Sequence, residues 1–158
     1  MTAGTHTNMM AEVNASSEDT LHGKYLVFKV GNEDFGIEIR HVTEIVGIQK
    51  INEVPDLPGY MKGVINLRGR VIPVMDIRTR FGMSDRAYDE RTCIIVVQVE
   101  GETSGLIIDQ VKEVTEIADD QIEPPPSRTA QAGQYVKGIG KVSDEVKILL
   151  DVQRLFYA

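Results

Sequence analysis

The sequence predicts a mainly β protein: two similar, small five-stranded barrels packed on a shared hydrophobic core, with only short helices. Three observations carry this. From Lys24 onward the chain is a series of short apolar or alternating runs broken by Gly, Asp and Asn, and alternation with a period of two marks a strand with one buried face. These runs fall into two sets of five. The two sets also match each other in sequence. Closing each set into a barrel removes aggregation-prone edges, and packing two units of about 65–70 residues supplies burial that either alone would lack.

The elements follow in order. Residues 1–23 contain no lysine, arginine or aromatic residue and no sustained apolar run, so they are expected to form a flexible tail. They also lack the charged start and apolar stretch of a secretory signal. YLVFKV (25–30), FGIEI (35–39), VGIQKI (46–51), GVINL (63–67) and RVIPVM (70–75) read as the strands of the first set. TCIIVVQV (92–99), SGLIID (104–109), VTEI (114–117), VKGIGKV (136–142) and VKILL (146–150) read as those of the second. DIRTRF (76–81) and DVQRLF (151–156) each open with an Asp able to cap a helix N-terminus. IRHVTEI (39–45) carries a weaker helical signal, with His41 on its face. The domain plan is therefore a tail over 1–23 and one domain over 24–158. Its subdomains are one barrel over about 24–82, a second over about 90–150, and a C-terminal helix over about 151–157.

The internal match is specific. GIEIRHVTEIVGI (36–48) overlays GLIIDQVKEVTEI (105–117), with Gly36, Ile39, Val42, Glu44 and Ile48 recurring as Gly105, Ile108, Val111, Glu113 and Ile117. YMKGVINLRGRVIPVMDIRTRF (60–81) overlays YVKGIGKVSDEVKILLDVQRLF (135–156), with Tyr60, Lys62, Gly63, Val71, Asp76 and Phe81 recurring. The difference in spacing falls beside a proline cluster in each copy, where a loop absorbs an insertion. Features present in both copies are candidates for scaffold: Gly63/Gly138 for a close backbone approach, Asp76/Asp151 for helix caps, Phe81/Phe156 for core. Glu44/Glu113 is open between a scaffold bond and a contact reused in each copy. Asn66-Leu67-Arg68-Gly69 faces Lys141-Val142-Ser143-Asp144, so the apolar residue survives while Asn, Arg and Gly do not. Ser-Asp makes a competent turn by itself. A copy-specific Arg68 therefore stands level with a merely solvated one, and its planar guanidinium suits a partner's carboxylates or carbonyls.

Several functions are disfavoured. The net charge of −7 argues against nucleic acid, which needs a basic face. No run of about 18 apolar residues is present to span a membrane. The lone Cys93 cannot form an internal disulfide and fits a buried strand in a reducing compartment, so a cytoplasmic location is expected. With His6, His22 and His41 dispersed, a zinc site is not expected. Gly138-Ile139-Gly140-Lys141 lacks the spacing of a phosphate loop, and no nucleophile elbow or dinucleotide fingerprint occurs. No enzyme activity, metal or cofactor is expected.

Residues 24–157 resemble the CheW-type chemotaxis coupling (adaptor) proteins, most specifically through GVINLRGRVIPVMDIR (63–78). The resemblance implies two five-stranded SH3-like barrels around a common core. It implies a non-enzymatic adaptor linking the signalling tip of methyl-accepting chemotaxis receptors to the regulatory domain of the histidine kinase CheA. Such a protein is cytoplasmic, recruited to membrane-associated receptor arrays, and monomeric when free. The receptor-contact positions it implies are Val42, Glu44 and Arg68, with Val111 and Val114 along the same inter-barrel groove. Residues that contact the kinase are left unassigned. Two neighbouring families share the fold. A CheV-type protein needs a receiver domain for which no residues remain, and a detached kinase regulatory domain would come with kinase segments that are missing here. A small ligand-binding or enzymatic β-barrel is the alternative from a different class.

Overall fold

A computed structural model describes residues 21–125 and 134–157. Residues 1–20 of the expected tail lie outside the described residues. Of the remaining residues of that stretch, Leu21 packs on the core and the Gly23 carbonyl accepts the Ile117 amide at 2.8 Å.

The strands of the first repeat are β1 (Lys24–Val30), β2 (Glu33–Glu38), β3 (Val42–Gly47), β4 (Met61–Leu67) and β5 (Arg70–Asp76), followed by helix α1 (Ile77–Arg80). The second repeat contains β6 (Cys93–Val99), β7 (Glu102–Ile108), β8 (Gln110–Glu116), the short β9 (Ile122–Glu123), β10 (Val136–Val142) and β11 (Glu145–Leu150), then helix α2 (Val152–Tyr157). One sheet runs β3-β6-β7-β5-β4 and the other β8-β1-β2-β11-β10-β9.

Replacing each strand by its repeat counterpart turns the first order into the first five strands of the second. The parallel pairing recurs as well: Val74 lies opposite Gly105 between β5 and β7, and Leu149 opposite Gly36 between β11 and β2. The duplication is thus present in the topology. The expected partition into barrels over 24–82 and 90–150 is corrected, however. Each sheet combines the two leading strands of one repeat with trailing strands of the other, three in the five-stranded sheet and four in the six-stranded one, where the short β9 is added. The physical reason is that β2 and β7 present equivalent edges, so either accepts the β5 or the β11 edge of either repeat. The chain resolves this by exchange, and the two halves cannot separate without breaking both sheets.

The expected helix over 39–45 is also corrected. Only Ile39–His41 forms a single 3₁₀ turn, and Val42 onward is strand. A β-bulge explains the misleading pattern. Val42 pairs with Val97 and Glu44 with Val96, so Thr43 is an extra residue and Val42 and Ile45 both reach the core from positions three apart. Val111 and Glu113 form the same bulge against Phe28 and Val27, which also moves the start of β8 ahead of the expected VTEI. The expected strand over 46–51 is corrected as well: β3 starts at Val42 and ends at Gly47.

The shared core lies between the sheets and draws on both repeats, including Phe28, Ile37, Ile95, Met75, Leu106, Tyr135 and Leu155. Smaller clusters fill the two barrels, one around Ile65, Ile72 and Ile94 and one around Tyr25, Ile117 and Leu149. Strand β6 faces both the shared core and the first small cluster, which accounts for its unbroken apolar run. Gly63 holds φ +145°, and a Cβ there would lie 2.2 Å from the Asn52 carbonyl oxygen. Gly138, at the matching bulge, would put a Cβ 2.7 Å from the Ile122 side chain. Asp76 Oδ1 accepts the Arg78 amide at 2.9 Å, and Asp151 Oδ1 accepts that of Arg154 at 3.1 Å. Both caps therefore form. Phe81 and Phe156 pack half-buried against the shared core.

Candidate functional site

Strands β4 and β5 meet in a two-residue tip, closed by the Leu67–Arg70 pair. Arg68 at this tip has φ +52° and Gly69 φ +85°. The left-handed region is sterically unfavourable for a side chain as large as arginine. From here the Arg68 guanidinium reaches across to β3 and donates through Nη2 to Glu44 Oε2. The two strands joined this way, β3 and β4, are the outer edges of the same sheet. Arg68 is 66% exposed and Glu44 27%, so the pair stands on the surface. Exposed pairs contribute only about 0–1 kcal/mol. Stability alone is thus a weak reason for an arginine in a strained position.

The structure brings together two of the residues singled out from the sequence, Arg68 and Glu44, and distributes the valines otherwise. Val42 and Val111 are 6% and 2% exposed and belong to the shared core, where each secures the bulge that starts its strand. As surface anchors for a partner they are corrected to core residues. Val114 is half-buried against that same core, on β8 at the edge of the other sheet. Glu113, the counterpart of Glu44, is exposed, and the tip that corresponds to that of Arg68 carries Ser143 in place of arginine. The pair is therefore specific to one copy.

A second constellation escaped the sequence reading. Arg78, in the helix α1 capped by Asp76, donates through Nε to Asp109 Oδ1 at 2.9 Å and through Nη2 to Oδ2 at 2.6 Å. Asp109 Oδ2 also accepts the Gly31 amide at 2.8 Å and Arg86 Nη1 at 3.0 Å. Burial favours the neutral acid, but the hydrogen bonds from Arg78 and Gly31 prevail and hold this carboxyl below its ordinary value. The signal was available: Arg78 and Asp109 align with Gln153 and Arg40, so both are copy-specific. Tyr88, in the segment joining the repeats, donates to Asp76 Oδ2 at 2.7 Å, and burial pushes its hydroxyl above the ordinary tyrosine value. A further carboxylate, Glu38, accepts from His41, Lys137 and Arg40. The His41 contact leads in holding it far below the usual range, against the effect of burial.

Among the described residues no cluster of His, Cys, Asp and Glu could hold a metal ion, and no helix is long and apolar enough to cross a membrane. An open depression of about 480 Å³ is lined by Lys62, Asp76 and Tyr88, with the Tyr88 hydroxyl bound to Asp76.

Residues 24–158 match the CheW-like domain. The chain belongs to the CheW-like family. It is 33% identical over 147 residues to the chemotaxis protein CheW of Klebsiella aerogenes, spanning 92% of this chain and 89% of that one. The probable chemotaxis protein CheW of Rhizobium etli is 34% identical over 132 residues, covering 83% and 85%. Among solved structures, the scaffolding protein TtCheW from Thermoanaerobacter tengcongensis superposes with a TM-score of 0.80 at 38% identity, covering 86% of this chain and 93% of that one. The mainly β CheW fold of two SH3-like barrels is thus shared, and with it membership of a family of chemotaxis scaffold proteins.

Proposed function

We propose that this CheW-like chain is a non-enzymatic adaptor that couples methyl-accepting chemoreceptors to the histidine kinase CheA within cytoplasmic receptor arrays. The observation that carries the reading is the Arg68–Glu44 pair: exposed, set on a strained tip, and missing from the second copy. Chemotaxis relatives that cover most of the chain support the same reading. A receptor tip built as a helical hairpin would be recognised by charges that fix its register beside apolar anchors. Arg68 and Glu44 supply the charges and Val114 an accessible apolar contact. Val42 and Val111 contribute from below, by fixing the strands that carry these groups. The kinase would bind elsewhere on the molecule, through residues left unassigned.

The direct experiment is co-sedimentation with a soluble receptor signalling fragment. Arg68→Ala is expected to weaken binding by about 1–3 kcal/mol, the range for hydrogen bonds to charged groups, with the cooperative unfolding transition unchanged. A folded Arg68→Ala protein that binds like wild type would remove Arg68 from the site.

A further inference from the structure

We infer that Asn66 is the positioning residue for Arg68, so that Asn66, Arg68 and Gly69 act as one unit which the second copy has given up whole. This rests on the reading of Arg68 as the receptor contact.

Asn66 Oδ1 accepts the Gly69 amide at 2.9 Å, spanning the tip from the strand that leads into it. That bond favours a turn with two successive left-handed residues, Arg68 at φ +52° and Gly69 at φ +85°. A Cβ on Gly69 would meet nothing within 4 Å, so glycine is required there for its backbone freedom and not for space. The second copy provides the comparison. Its tip is also two residues long, closed by the Val142–Glu145 pair, and Ser143 takes φ +57°. Asp144, at the position of Gly69, is not left-handed. Lys141, at the position of Asn66, has only donors on its side chain, and its ammonium turns to Glu123 at 2.9 Å. A two-residue tip with one left-handed residue therefore closes without Asn and without Gly.

Gly69 supplies the second left-handed residue. The β6–β7 tip reaches the same form, with Glu100 at φ +52° and Gly101 at φ +81°, although Gln98 stands where Asn66 does, so hairpin closure accounts for Gly69 but not for Asn66. What Asn66 adds is its bond to the Gly69 amide, which fixes the tip in the form from which the Arg68 guanidinium reaches Glu44.

The test uses the full-length protein in four forms besides wild type: Asn66→Ala, Asn66→Asp, Arg68→Ala and the double variant Asn66→Ala/Arg68→Ala. Binding to a soluble receptor signalling fragment is measured for each. Asn66→Ala is expected to weaken binding about three- to tenfold, the equivalent of one hydrogen bond. Asn66→Asp, which keeps the acceptor, stays within about twofold of wild type. The double variant binds no more weakly than Arg68→Ala, because Asn66 acts through Arg68. Wild-type binding by Asn66→Ala, or an additive loss in the double variant, would overturn the inference. A second readout does not depend on the receptor: hindered rotation of the Arg68 guanidinium, seen as slow exchange between its Nη resonances. It should persist in wild type and Asn66→Asp and disappear in Asn66→Ala. Should Arg68→Ala bind normally, the receptor reading fails, and this resonance alone decides whether Asn66 positions Arg68. Unchanged slow exchange in Asn66→Ala then refutes it.

Discussion

Arg78→Ala tests whether the copy-specific ion pair fastens the exchanged halves. Arg78 comes from the helix that ends the first repeat, and Asp109 lies between β7 and β8 of the second. Both side chains are nearly buried, at 13% and 14% exposure, and two parallel hydrogen bonds join them. Breaking a buried pair by removing one partner costs about 3–5 kcal/mol when the other charge is left bare. Asp109 is not left bare, since Gly31 and Arg86 still donate to it. The expected loss is therefore nearer about 2–3 kcal/mol, the value for hydrogen bonds to a charged group. Arg86→Ala removes a half-exposed contact to the same oxygen and should cost no more than about 1 kcal/mol.

The assay is equilibrium urea unfolding at pH 7 and at about pH 3. Asp109 titrates below its ordinary value when folded. Its contribution is complete above the unfolded value of about 4 and is lost as pH falls through the folded value. Wild type and Arg78→Ala should accordingly converge in acid. An Arg78→Ala cost as small as that of Arg86→Ala, or a difference that stays constant down to about pH 3, would refute the argument.

The remaining predictions concern two features shared by the copies and one carboxylate, Glu38, found only in the first. Gly63→Ala should destabilise by about 3 kcal/mol or more, because a left-handed backbone and a clash with a carbonyl oxygen act together. Gly138→Ala should cost about 1–2 kcal/mol, since its nearest neighbour is a side chain that can shift; urea midpoints in the opposite order would contradict this. Asp151→Ala should lose about 1 kcal/mol of helix capping. Asp76→Ala should lose more, because it also accepts the Tyr88 hydroxyl, and equal losses on thermal unfolding would rule out that added part. Glu38, held far below the usual carboxylate range by His41, Lys137 and Arg40, contributes stability above about pH 4 that disappears as pH falls further. A Glu38→Gln protein should therefore show a shallower loss of stability in acid than wild type.

The strands and caps were legible because their signals are local. A continuous apolar run marks β1 and another marks β6, and a capping Asp precedes each helix. The bulges were not, since an extra residue gives Val42 and Ile45 the three-residue spacing of a helix face. The exchange of strands could not be read at all. β5 and β11 carry equivalent patterns and fit equivalent edges, so the choice between them depends on how the linking segment packs. At the candidate site, the loss of Asn66, Arg68 and Gly69 from the second copy was visible in the sequence, and so was the recurrence of Glu44. That Arg68 and Glu44 touch was not, because they lie on opposite edges of a sheet. Burial of Val42 and Val111 was hidden for the same reason as the bulges that bury them.

The central claim is that this protein makes kinase activity depend on receptor. The most direct measurement is phosphorylation by CheA reconstituted with a receptor signalling fragment, with and without the protein. The account predicts strong, receptor-dependent activation only when the protein is present, and a reduced response with Arg68→Ala. Activity that is the same whether or not the protein is added would contradict it.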